Sequence, residues 1–318
     1  MNRARALATG CIAAAAGAHC AATQAQIAPV VDADLRTQAN AVLTITSYQV
    51  IPDATASSLS ISNAASGNPG FRINQIGGGF TVSESLPIYL EGSLGASRYD
   101  PQFISSANGG GLHVPVKWDA TTATGGIGWD FALAPRFVLR PIFNIAIGRI
   151  GSELRIPSTE FGRSSGSASD FLADGHLDVA GAGDSLMLVY RDHRPRDEFD
   201  AEFRYTAIRL RSTSSSTPAL EGSADASTLS AWGRWRRASG FAAFDRPIRY
   251  VVEAAHSEFV GSQRGALGFD RLSSIGAGLE IDLSGRHVWV ERARVVVRHL
   301  FGTGVSGSSV GLAVSFQG

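Results

Sequence analysis

The residues with the most chemical potential in this chain are Ala255-His256-Ser257-Glu258, a run that holds a base, a nucleophile and a carboxylate. Nucleophilic catalysis needs the hydroxyl and the imidazole within hydrogen-bond reach, with a third group orienting the ring. On a strand, adjacent side chains point to opposite faces, so His256 and Ser257 cannot easily share that bond. The run therefore reads as a polar cluster at an interface, and the chain is expected not to be an enzyme. A second run, Arg191-Asp192-His193-Arg194-Pro195-Arg196-Asp197-Glu198, is charged enough to suggest metal or protease chemistry. It falls in a predicted turn and reads as a solvated hairpin. The seven histidines, among them His113, His176, His193 and His299, show no ligand spacing, so neither metal nor cofactor is expected.

A more regular signal lies in charges that share a parity with one another and oppose an apolar parity. In FVLRPIFNIAIG, Phe137, Leu139, Pro141, Phe143, Ile145 and Ile147 lie on one face, opposite Arg140 and Asn144. In DEFDAEFRYTA, Phe199, Ala201, Phe203 and Tyr205 oppose Asp200, Glu202 and Arg204. Ile275, Leu279 and Ile281 oppose Glu280 and Asp282, and Arg292 and Arg294 share a parity in the next segment. Arg140, Glu202, Arg204, Arg234, Glu280, Asp282, Arg292 and Arg294 are assigned by this rule to a wet lumen, where they would pair across water.

The elements that must position these charges are strands. Alternation recurs at 55–63, 71–82, 87–98, 117–133, 137–154, 176–190, 198–211, 224–237, 248–260, 268–283, 287–300 and 305–316. Most of these segments are long enough to cross a bilayer as a tilted strand. The connections alternate between long, Ser- and Gly-rich loops (99–116, 155–175, 212–223, 261–267) and short turns (83–86, 134–136, 191–197, 284–286). Two depart from this: 238–247 is long for a turn and 301–304 short for a loop. Trp129, Phe131, Phe137, Trp235, Phe241, Phe244 and Trp289 cluster near the short turns, where an aromatic girdle would sit.

Composition agrees. Charged residues make up 18% of the 318, glycines number 36 and mean hydropathy is +0.05, which argues against disorder. No apolar run reaches the roughly 18 residues of a spanning helix. The 28 basic and 28 acidic residues cancel, leaving no nucleic-acid footprint. Arg3 and Arg5 precede an alanine-rich run and Thr23-Gln24-Ala25 ends in a small residue, so residues 1–25 read as a signal peptide. Cys11 and Cys20, the chain's two cysteines, fall within it, so no disulfide is expected in the mature protein.

The stretches QIGGGFTVSESLPIYLEGSLGASRYDP, TATGGIGWDF, LRPIFNIAIG and RHLFGTGVSGSSVGLAVSF together resemble the outer-membrane autotransporter barrels, in particular solitary, passenger-less ones. The resemblance implies an all-β transmembrane antiparallel barrel of about 12 strands at residues 55–318, in the outer membrane of a Gram-negative bacterium. It also implies a helix in the pore ahead of the barrel. Residues 26–54 are assigned that plug, with Asp32 capping a helix to Tyr48; an added strand is the alternative, since Val42–Ile45 is β-rich. Ser309, Gly311, Val314 and Phe316 are similar to the family's terminal-strand assembly signal, although Gln317 and Gly318 follow the closing aromatic. The implied partners are outer-membrane lipid, lipopolysaccharide and the barrel assembly machinery, with the barrel a monomer. Function divides between a structural or translocator-like barrel and a small, porin-like solute pore.

Overall fold

The computed structural model describes Leu43 and residues 56–63, 68–99, 102–105, 112–154, 176–215, 222–261, 264, 270–283, 290–302 and 305–316. The expected signal peptide lies outside the described residues. So does the expected plug segment, apart from Leu43, which is helical and fully buried.

The described strands are β1 (Ala56–Asn63), β2 (Asn68–Thr81), β3 (Ile88–Tyr99), β4 (Gln102–Ser105), β5 (Leu112–Trp129), β6 (Phe131–Ala134) and β7 (Phe137–Leu154), followed by β8 (His176–His193), β9 (Asp197–Ser215), β10 (Ser223–Ala243), β11 (Arg246–Val260), β12 (Arg271–Asp282), β13 (Val290–Gly302) and β14 (Val305–Phe316). Each pairs antiparallel with its neighbour. β1 pairs with β14, and β5 pairs with both β3 and β7, so the sheet closes on itself. β4 extends only β5 and β6 only β7, leaving twelve strands in the closed ring, as the alternation predicts. Closure pairs both edges of each of the twelve ring strands, which an open sheet in hydrocarbon could not do.

The expected turn at 191–197 shortens to three residues, since β8 runs to His193 and β9 begins at Asp197, and the expected loop at 99–116 holds β4 and the start of β5. Two further departures bear on the interior and the turn rim. The predicted strand at 117–133 is broken at Asp130, whose carboxylate turns to accept hydrogen bonds from Thr81 Oγ1 at 2.7 Å and Arg140 Nη2 at 2.9 Å. The long connection at 238–247 is not a loop. β10 continues to Ala243 through an irregularity at Ala238/Ala242, and the turn is Phe244-Asp245 alone, both at positive φ (52° and 60°). Two left-handed residues are what a two-residue hairpin needs to match strand twist.

Exposure alternates along each strand. Ile76, Leu94, Ile127, Phe143, Ile145, Ile147, Phe203, Ile275, Val297 and Leu312 project outward as exposed large apolar residues. Asp184 interrupts this exterior between Ala182 and Leu186 on β8. At the turn end the rings of Phe137 and Tyr190 lie 4.8 Å apart, and those of Tyr190 and Phe199 6.1 Å.

Candidate functional site

Arginines and carboxylates gather on the buried face of the strands, and Glu202 on β9 is half-buried. Arg140, Arg204, Glu280 and Arg294 are buried, and Arg234, Asp282 and Arg292 are at most 19% exposed. Neighbouring strands supply many pairs directly. Arg234 stands opposite Asp200, Arg236 opposite Glu198, and Glu280 opposite both Arg249 and Arg294 in the register.

Other pairs join strands that do not touch. Arg204 on β9 donates to Glu91 on β3 through Nη1 at 2.9 Å and Nη2 at 2.7 Å. Arg292 on β13 donates to Glu198 on β9 at 2.9 Å, and Arg298 on β13 to Glu253 on β11 at 2.6 Å. Arg249 also donates to Glu198. Contacts between strands separated by others around the ring run through the interior, so these pairs act as struts across it.

Glycines make room for them. A Cβ on Gly126 would meet Asn144 Nδ2 and Glu91, and one on Gly311 would meet the Arg298 guanidinium. Gly311 therefore has a packing role. Ser309 is buried on the same face, while Val314 and Phe316 stand in register with Ala293 and Val290.

A second layer sits beside the struts. Arg140 lies over the Tyr89 ring at 3.6 Å while its Nε donates to Asp130, and Tyr89, Ile142, Met187 and Val189 pack together there. Asn144 donates to Glu91 at 2.6 Å, and Ser185 donates to Asn144 Oδ1 at 2.6 Å.

The expected character of the site needs correction. A wet lumen would leave the pairs solvated, each contributing on the order of 0 to 1 kcal/mol. Arg204 and Glu91 are instead 7% and 1% exposed. Removing one member of such a pair strands a buried charge and costs about 3–5 kcal/mol. The parity rule extends to further members of the network, Glu91, Glu198, Arg236, Arg249, Glu253 and Arg298. Asp200 is already on the charged face by its parity; Glu198 shares the parity of Glu202, and Arg236 that of Arg234, so the same pattern reaches them. The bend that brings Asp130 to Arg140 leaves no such trace.

The two charged runs resolve differently. His193 Nε2 lies 2.8 Å from Asp200 Oδ1 at the edge of the network, and Arg194 pairs with Asp192 in the turn. His256 is exposed on the outer face, with Ser257 at the opposite parity. Among the described residues no group of His, Cys, Asp and Glu is arranged to hold a metal.

A closed antiparallel barrel with an apolar exterior and a charged interior defines the class of structure. No protein-family profile matches the chain, and no curated relative matches it. Among solved structures it is similar to the beta domain of the Bordetella autotransporter BrkA, at 17% identity and TM-score 0.47, covering 83% of this chain and 100% of that one. It is also similar to the transport unit of the autotransporter AIDA-I from Escherichia coli, at 12% identity and TM-score 0.46, covering 87% and 99%. The translocator domain of autotransporter NalP from Neisseria meningitidis matches at 12% identity and TM-score 0.43, covering 92% and 98%. At these scores the likeness is one of general shape.

Proposed function

We propose that the chain is an integral outer-membrane barrel of the autotransporter translocator type, with a structural or translocator-like role. The observation that carries this reading is the opposition of faces. Large apolar side chains stand exposed outside a ring whose interior buries arginines and carboxylates in pairs, an arrangement that hydrocarbon stabilises and bulk water does not. Membrane lipid, lipopolysaccharide and the assembly machinery are the partners that reading implies, with the barrel a monomer.

The competing role is a solute pore. The cross-interior struts favour a barrel that passes little on the turn side, since Arg204–Glu91 and Arg292–Glu198 occupy chords of the ring. Residues 26–54 are proposed as a plug, a reading supported by the helical, buried Leu43 and by apolar interior side chains such as Leu210 and Ile208.

Single-channel recording of the refolded protein tests the choice. The unmodified protein should show small or no conductance steps. Deleting 26–54 should leave them small, and adding the paired replacement Glu91→Leu/Arg204→Leu should enlarge them. Large, stable openings in the unmodified protein would move the assignment to a solute pore.

A further inference from the structure

Three polar side chains from two strands converge on the outer face near the loop rim. His256 and Glu258 lie on β11, two residues apart and therefore on one face; Ser273 lies on β12, opposite His256 in the register. His256 Nδ1 is 2.8 Å from Ser273 Oγ, and its Nε2 is 3.8 Å from Glu258 Oε1. With the ring proton on Nε2, the serine hydroxyl donates to Nδ1 and the carboxylate faces the N–H. The imidazole thus stands between a hydroxyl and a carboxylate, the relation that activates a nucleophile.

The cluster's surroundings point to a substrate. The outward residues on its turn side are apolar, Val252 and Ala254 on β11 and Ile275 and Ala277 on β12, while Arg271 and Glu258 lie toward the loops. On these two strands it sits where outward apolar residues give way to polar ones, as they would at the ester level of a lipid leaflet. From His256 an apolar groove of about 460 Å³ crosses the outer face over Ala254, Ala231, Gly233 and Ala201 toward Phe203 and Phe137. It spans β11 to β7, about 19 Å at the ~4.8 Å spacing of neighbouring strands. Small residues form its floor and aromatic rings flank it, a shape suited to an acyl chain.

We propose that this cluster is an acyl-ester hydrolase site that takes a lipid from the surrounding leaflet. Ser273 Oγ bonds to the ester carbonyl carbon while its proton passes to His256 Nδ1. The tetrahedral intermediate then expels the alkoxy group, which leaves as the alcohol with that proton. Water attacks the acyl-serine through the same base, releasing the fatty acid and returning the proton to Ser273. Glu258 stabilises the imidazolium, and Arg271, on the same face two residues from Ser273, is the nearby cation for the oxyanion. Within the run 255–258, what speaks against catalysis is Ser257, which points to the face opposite His256. The serine that reaches the imidazole lies across the strand pair, seventeen residues away, where a local run cannot show it.

The test uses folded full-length protein in phospholipid vesicles that contain one acyl-labelled lipid, with a long-chain alkyl fluorophosphonate to trap the nucleophile. Fatty acid release and an adduct on Ser273 are expected. Both should fall by on the order of 10²-fold or more in Ser273→Ala and His256→Asn, since a positioned base contributes about 10²- to 10⁴-fold. Ser257→Ala should leave them unchanged. Ala231→Trp, which fills the groove, should depress hydrolysis of a long-chain ester and spare an acetyl ester. The site rests on the barrel lying in a membrane, which heat-modifiable gel migration of each variant reports separately. Folded protein that neither releases fatty acid nor takes the label at Ser273, or release that survives Ser273→Ala, would overturn the proposal.

Discussion

On β7 and β9 the turn side of the barrel interior carries paired arginines and carboxylates; on the loop side, along the same two strands and at the same parity, it becomes apolar. β9 shows the change within one strand, from Glu198, Asp200 and Arg204 through Thr206 to Ile208 and Leu210. β7 runs likewise from Arg140 through Asn144 to Ala146 and Ile150. Both halves are equally buried: Glu280 and Ile208 are each 1% exposed. Period two therefore decides which way a side chain points, while the chemistry it meets is set by position along the barrel axis. The turn half is held by geometry-dependent charge pairs, the loop half by apolar contact, and the two should fail differently.

The largest effect is expected where a charge is stranded. Glu280 lies within 4 Å of Arg236, Arg249, Arg292 and Arg294, so Glu280→Ala should cost about 3–5 kcal/mol, read from the urea midpoint of the heat-modifiable form. Its neighbour Leu279 is 46% exposed on the outer face, and Leu279→Arg should cost about 2–4 kcal/mol near mid-bilayer, visible as a sharp loss of folded barrel in cells. In the apolar half, Ile208→Val removes one methylene and should cost only about 0.5–1.5 kcal/mol in the same urea titration. Asp184→Leu should move the midpoint the other way, because it removes a carboxylate from the apolar exterior. Arg149, paired with Asp178 at 2.6 Å but 68% exposed, should tolerate Ala with no measurable change.

Much of this was legible in advance. Alternation placed the twelve ring strands to within a few residues, because a strand with one apolar face cannot hide its period. Parity alone turned Arg140, Arg204, Glu280 and Arg294 inward. What sequence could not give was distance across the ring. Nothing in the run around Glu91 announces Arg204, 113 residues later, and nothing around His256 announces Ser273. The turn at Phe244-Asp245 was hidden for a different reason: two non-glycine residues hold the left-handed conformation that Gly or Asn usually supplies. The solvation of the interior was misjudged because parity says which face a charge occupies and nothing about how closely its partners enclose it.

The assignment of inside and outside is tested most directly by a lipid-soluble carbene precursor, photolysed in vesicles containing the unmodified folded protein and mapped to residues by mass spectrometry. Adducts should fall on Ile76, Leu94, Ile127, Ile147, Val297 and Leu312, which are 54–65% exposed, and spare Ile150, Leu177, Ile208 and Leu210, which are at most 2% exposed. Labelling of the second set with the first set spared would mean that the faces are reversed and that the apolar exterior described here does not meet lipid.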